Sequence, residues 1–142
     1  MFKVTKLDHI GIAVPDLDAA KAFFSEVLGL AITGEEVIDD HQMKLAYLPC
    51  GDSEINLLQS VTPDGPIARF VERKGGRAAV QHIALRVDNV QAAIDGVKAR
   101  GGKMVHQTPR LGKEHSDIAF IDPETTGFVN IHFSGPPESE KA

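Results

Sequence analysis

The feature that most constrains this chain is a repeat. Residues 8–29, DHIGIAVPDLDAAKAFFSEVLG, align without a gap on residues 81–102, QHIALRVDNVQAAIDGVKARGG, at an offset of 73. Each copy opens with a histidine, runs on through a short apolar stretch, turns, and enters a helix-like segment closed by glycine. Six identities survive: His9/His82, Ile10/Ile83, Val14/Val87, Ala19/Ala92, Ala20/Ala93 and Gly29/Gly102. Six is weak as a statistic, and the shared order of elements is the stronger evidence. It implies two copies of one supersecondary unit, each with an apolar face it cannot bury alone.

The element order follows from local pattern. Residues 9–14 are short, apolar and rich in β-formers, which predicts a buried strand. A helix follows, with Asp16 or Asp18 as cap, Leu17, Ala20, Phe23, Phe24 and Val27 at helical spacing, and Gly29 as the stop. Residues 31–39, 43–50 and 53–60 read as strands separated by the turns DDHQ and GD. Residues 61–78 read as a linker with one short helix over 67–73. The second half repeats the order. Residues 80–87 form a strand, a helix capped by Asn89 follows, and 103–110, 116–123 and 128–134 supply three more strands. The offset of 73 persists to LAYLP (45–49) over IAFID (118–122), and a longer hairpin then makes it 76. The expected fold is therefore α+β: one domain over 1–142, built from paired βαβββ modules at 6–60 and 79–134. Their strands would make one curved mixed sheet around a shared cavity. Residues 135–142, small, Pro-rich and charged, are expected to be a disordered tail.

Composition narrows the function classes. An apolar content of 42% supports a proper core, and a net charge of −5 with scattered basic residues argues against nucleic acid as a partner. No apolar run approaches the roughly 18 residues of a membrane helix. The N-terminus MFKVTKLDHIG enters patterned sequence directly, without the form of a signal peptide. Cys50 is the sole cysteine, so no internal disulfide forms, and a cytoplasmic location is expected.

Alternate residues of a strand share a face. Glu54, Asn56 and Leu58 therefore lie together, and the offset of 76 gives Asn130 and His132 the equivalent places. The repeat relates His9 to His82. Three imidazoles at repeat-related positions, with an oxygen donor from Asn56 or Glu54, suit a divalent metal with solvent positions left open. A lone histidine beside a strand is more often structural, so it is the repeat that singles these out. His41 reads as a solvated turn residue. His106 and His115 flank the TPRLGKE loop and could line a mouth.

Four stretches, DHIGIAVPDLDAAKAFFSEVLGL, SEINLLQSVTPDGPIARFVERKGG, VQHIALRVDNVQAAIDGVKARGGKM and IDPETTGFVNIHF, resemble the vicinal oxygen chelate (glyoxalase-like) superfamily. Within it the chain is most similar to the methylmalonyl-CoA epimerases, over about residues 6–134, with PDGPIARF (63–70) the most epimerase-like run. The resemblance implies a homodimer and a divalent ion (Co, Zn, Ni, Mn or Fe) on His9, Asn56, His82 and His132. It also implies a small acyl or carboxylate substrate, a CoA thioester among them, that loses an α-proton through a metal-stabilised enolate.

Three departures stand out. Epimerases carry Glu or Gln where this chain has Asn56, and Glu where it has His132. The segment PRLGKEHSDIAF lacks the epimerases' G-A-H-G. The family carboxylate at 132 is both ligand and candidate base, so catalytic roles here fall to Glu54 and His132, with Lys44 and His41 as other candidate bases. The leading expectation is a metal-dependent isomerase. The alternatives are a glyoxalase-like lyase or isomerase of another small oxygenated substrate, and a metal-free ligand-binding module.

Overall fold

Asp16 and Asn89 hold equivalent places in the repeat and perform the same task. In the computed structural model, which describes residues 1–112 and 116–137, Asp16 Oδ1 accepts from the Ala19 amide at 3.1 Å, and Asn89 Oδ1 accepts from the Ala92 amide at 2.9 Å. Each satisfies a donor that the helix start leaves open. Of the two candidate caps for the first helix, Asp16 is the one used.

Among the described residues the α-helices are α1 (Leu17–Ala22), α2 (Pro66–Arg73), which starts at a proline without a side-chain cap, and α3 (Val90–Ala99). Helix α1 runs on into a π turn, Phe23–Val27, in which the Leu28 amide donates to the Phe23 carbonyl at 3.2 Å. A turn closed over five residues rather than four absorbs one extra residue. The left-handed glycine that ends the first helical segment is Gly29 (φ 77°), and after α3 it is Gly101 (φ 85°). The segment from Asp16 to Gly29 is one residue longer than that from Asn89 to Gly101, and the π turn accounts for the difference. The gapless match of Gly29 with Gly102 is thus not a structural equivalence.

The strands are β1 (Val4–Ala13), β2 (Gly34–Ile38), β3 (Met43–Cys50), β4 (Ser53–Ser60), β5 (Ala79–Val87), β6 (Arg110–Leu111), β7 (Asp117–Phe120) and β8 (Ile131–Gly135). They form a mixed eight-stranded sheet in the order β2-β3-β4-β1-β5-β8-β7-β6. The chain divides into a leading unit, His9–Gln81, and a trailing unit, Met1–Asp8 with His82–Ala142.

In the leading unit the parallel β1–β4 pair sets Gly11 against Asn56, and the antiparallel β3–β4 pair sets Tyr47 against Asn56. One face packs Leu48, Leu57 and Val14 against Leu17 of α1. The other packs Leu45, Leu58 and Ala13 against Ile67, Phe70 and Val71 of α2. The trailing unit repeats the registers. Its parallel β5–β8 pair sets Ala84 against His132, and the antiparallel β7–β8 pair sets Phe120 against His132. Leu85, Val87, Ala119 and Phe133 pack against Val90, Ala93 and Ile94 of α3. Each large aliphatic buried there contributes roughly 1.5–3 kcal/mol. Gly96 lies against Phe2, whose Cε1 would be 2.6 Å from an added Cβ, and the Phe2 ring meets Phe133 edge-on at 5.7 Å.

Some boundaries differ from expectation. β1 starts earlier because Lys3 and Thr5 join the Arg86–Asp88 backbone; these residues are polar, and apolar pattern is silent about them. The strand expected over 103–110 is reduced to an isolated Met104–Ile121 bridge and the two-residue β6. Pro109 lacks an amide and biases its predecessor, and Gln107 Nε2 occupies the Met104 carbonyl at 3.0 Å. The last strand begins at Ile131 because Gly127 (φ 72°) and Phe128 (φ 73°) form a left-handed turn first.

Candidate metal centre

His132 lies in the middle strand of a three-strand motif, 7% exposed. Its lateral neighbours are Ala84 on one side and Phe120 on the other. The Phe120 ring stacks on the imidazole at 4.7 Å and 15°, and the His82 ring lies 5.1 Å away at 37°. The small Ala84 leaves room over β5, while the opposite face is filled by the α3 core. His106 extends the series: its ring meets Phe120 edge-on at 5.3 Å, and its Nδ1 accepts from the Phe120 amide at 3.1 Å. An Nδ1 that accepts cannot carry the proton, so neutral His106 is the Nε2–H tautomer. Partial burial, and then the positive charge of Arg110, hold its pKa below the usual histidine value.

In the leading unit, register puts His9 beside Glu54 and Gly11 beside Asn56, so His9, Glu54 and Asn56 share one sheet face. Asn56 is 6% exposed, and its Oδ1 is buried with no hydrogen-bond partner. Beside it Tyr47, 7% exposed, donates its phenol proton to Glu36 Oε1.

The family model described as Glyoxalase/Bleomycin resistance protein/Dioxygenase superfamily matches residues 8–120. The chain belongs to this superfamily.

Among its relatives, the ethylmalonyl-CoA/methylmalonyl-CoA epimerase of Cereibacter sphaeroides is 30% identical over 85% of this chain and 90% of its own length. The crystal structure of methylmalonyl-CoA epimerase from Mycobacterium tuberculosis is 34% identical, with a TM-score of 0.83 over 98% of this chain and 93% of the other. A methylmalonyl-CoA epimerase in complex with methylmalonyl-CoA and NH4+ is 27% identical, with a TM-score of 0.81 over 96% of this chain and 97% of the other. This superfamily member is therefore epimerase-like in sequence and in fold.

Three of its histidines, His9, His82 and His132, could hold a metal ion. The orphaned Asn56 Oδ1 fits a cation as well, because an unmet buried acceptor costs about 1–3 kcal/mol. Glu54, half-buried on the face of His9 and Asn56, is not a member of the histidine group. Lys44 pairs with Gln59 and so lies on the face opposite Asn56. It cannot serve as a base on Asn56's side, because one residue along a strand reverses the face. His41 falls in the 3₁₀ turn Asp39–His41, and His115 lies outside the described residues.

Tyr47, Phe120 and the ring contact of His106 went unread in the sequence. The offset of 73 that overlays LAYLP on IAFID already matches Tyr47 with Phe120 and could have flagged both.

Proposed function

We propose that this protein is a metal-dependent isomerase of small α-acidic acyl compounds, CoA thioesters among them, working as a cytoplasmic homodimer. The observation that carries the reading is the set of three histidines able to hold an ion. It is supported by likeness to epimerases whose names specify malonyl-type thioesters. His9, His82 and His132 hold the divalent ion, and Asn56 Oδ1 supplies the oxygen donor. Such an ion polarises a substrate carbonyl as a Lewis acid. Glu54 takes the α-proton from its place beside His9 on the strand face. His132, steadied by the stacked Phe120 ring, orients the reacting group, and a proton from solvent returns to the opposite face of the α-carbon to complete the isomerisation.

Three neutral imidazoles and an amide leave the full charge of a divalent ion uncompensated. The site therefore favours an anionic, bidentate substrate, and proton removal falls to a residue outside the ligand set. That charge balance favours a second reading, in which methylmalonyl-CoA is a poor substrate and another compound offering two oxygens is the true one.

The test is solvent deuterium exchange at the α-carbon of methylmalonyl-CoA with metal-loaded protein. Exchange that is lost in His132→Ala and Glu54→Gln supports the epimerase. Retained metal without exchange moves the assignment to the second reading. Sedimentation at micromolar concentration should give twice the 15.3 kDa chain mass, and a monomer would refute the dimer.

A further inference from the structure

The strand face of the trailing unit that bears His82 and His132 has an unusual charge balance. Helix α3, the only helix of that unit among the described residues, packs on the opposite face. Along β5, β6, β7 and β8 the histidine face carries Arg86 and Arg110 and no carboxylate; its other residues are apolar, serine or the histidines themselves, and Asp88, just past β5, is exposed and accepts from the Lys3 amide. Arg110 is exposed on the edge strand, but Arg86 is different. It is half-buried near the end of β5, between Ala84 (0% exposed) and Val87 (1%). Its guanidinium makes no ion pair or hydrogen bond with a described residue.

A half-buried guanidinium without a counter-charge is costly, and its planar fork is suited to a two-oxygen anion. The register says where that anion would sit. Arg86 pairs with Ser134, two residues along from the Ala84–His132 pair. Strand spacing and rise then put the Arg86 and His132 Cα atoms about 8 Å apart. A substrate engaged at His132 is thus within reach of the Arg86 side chain, with the Ser134 hydroxyl on the same face.

We propose that Arg86 is a specificity-determining residue that binds the free carboxylate of the substrate. The inference rests on the reading above, in that the histidine face receives the substrate. One guanidinium and one hydroxyl match the single charge of a carboxylate, and would leave a phosphate dianion under-neutralised.

The experiment compares binding of methylmalonyl-CoA with that of propionyl-CoA, which lacks the carboxylate, by calorimetry on the full chain. Arg86→Gln should weaken methylmalonyl-CoA at least tenfold and leave propionyl-CoA unchanged. Arg86→Lys should fall between, and Arg110→Gln should behave as the parent. Equal weakening of both thioesters would point to a phosphate of CoA and overturn the proposal, as would no weakening of either. Malonate titrated against the Arg86 Nε–H signal in ¹⁵N spectra separates this inference from the thioester reading. A saturating shift, absent in Arg86→Gln, sustains the carboxylate site even if neither thioester binds or exchanges. No shift with malonate, in a protein that binds neither thioester, overturns it.

Discussion

Asn56 and His132 occupy the same backbone position in the two units and meet different chemistry there. Each lies between a small residue on a parallel strand, Gly11 or Ala84, and an aromatic on an antiparallel one, Tyr47 or Phe120. In the leading unit the aromatic gives its proton to Glu36, and Asn56 Oδ1 is left buried without a partner. In the trailing unit Phe120 has no hydroxyl and lies flat on His132. The two modules share pairing and register. Single side chains one strand away then left the amide oxygen at one position without a partner and stacked a ring on the imidazole at the other.

The largest expected effect removes the side chains of the proposed metal site. His132→Ala should reduce zinc affinity on the order of 100-fold or more, and His9→Ala and His82→Ala likewise, while Asn56→Ala should cost only about tenfold. Calorimetry with metal analysis of the purified variants measures both. Equal losses at 56 and 132 would mean that the two positions are not chemically distinct, and full occupancy in the histidine variants would remove the site altogether.

Next in size is the orphaned acceptor. Asn56→Leu should stabilise the metal-free protein by about 1–2 kcal/mol, because it removes an unmet buried oxygen, yet lower the gain in stability on adding zinc. Urea unfolding with and without zinc reports both signs. A variant destabilised in both conditions would show that Asn56 has a structural role instead.

Making the leading unit copy the trailing one sharpens the comparison further. Tyr47→Phe deletes the phenol and its bond to Glu36, and should cost about 1 kcal/mol with an unchanged denaturant slope. No loss would mean that the phenol–carboxylate contact contributes nothing net.

The smallest effect is the pH response of His106, whose place at the offset of 73 is taken beside Tyr47 by Thr33, a residue that does not titrate. Its pKa is lowered in the folded state, so the unfolded chain binds more protons just below the usual value of 6.5. Its contribution is complete above 6.5 and is lost as pH falls through the lowered folded-state value. His106→Gln should therefore flatten part of the decline in urea midpoint between about pH 7.5 and about pH 5. A parallel decline in parent and variant would contradict the assigned tautomer and its environment.

Much of this was legible in the chain. The strands at 43–50 and 53–60 and the helix capped by Asn89 coincide with β3, β4 and α3, because their patterns have one period and firm punctuation. The offset of 76 that related Asn56 to His132 is realised as identical pairing. Less could be read where backbone groups found side-chain partners. Pro109 and Gln107 dissolved the expected strand over 103–110, and the π turn hid a one-residue insertion inside a gapless alignment.

What the sequence determined by itself, then, was the repeated module, the order of its elements and the histidines at repeat-related places, since these follow from periodicity and capping within a few residues of each position. Tertiary structure alone decided that Lys44 faces away from Asn56, that Phe120 stacks on His132 while Tyr47 turns to Glu36, and that the half-buried Arg86 guanidinium forms no ion pair with a described residue. Those outcomes depend on which strands lie next to one another, and pairing between residues far apart in the chain is set by the packing of whole faces, which no local window contains.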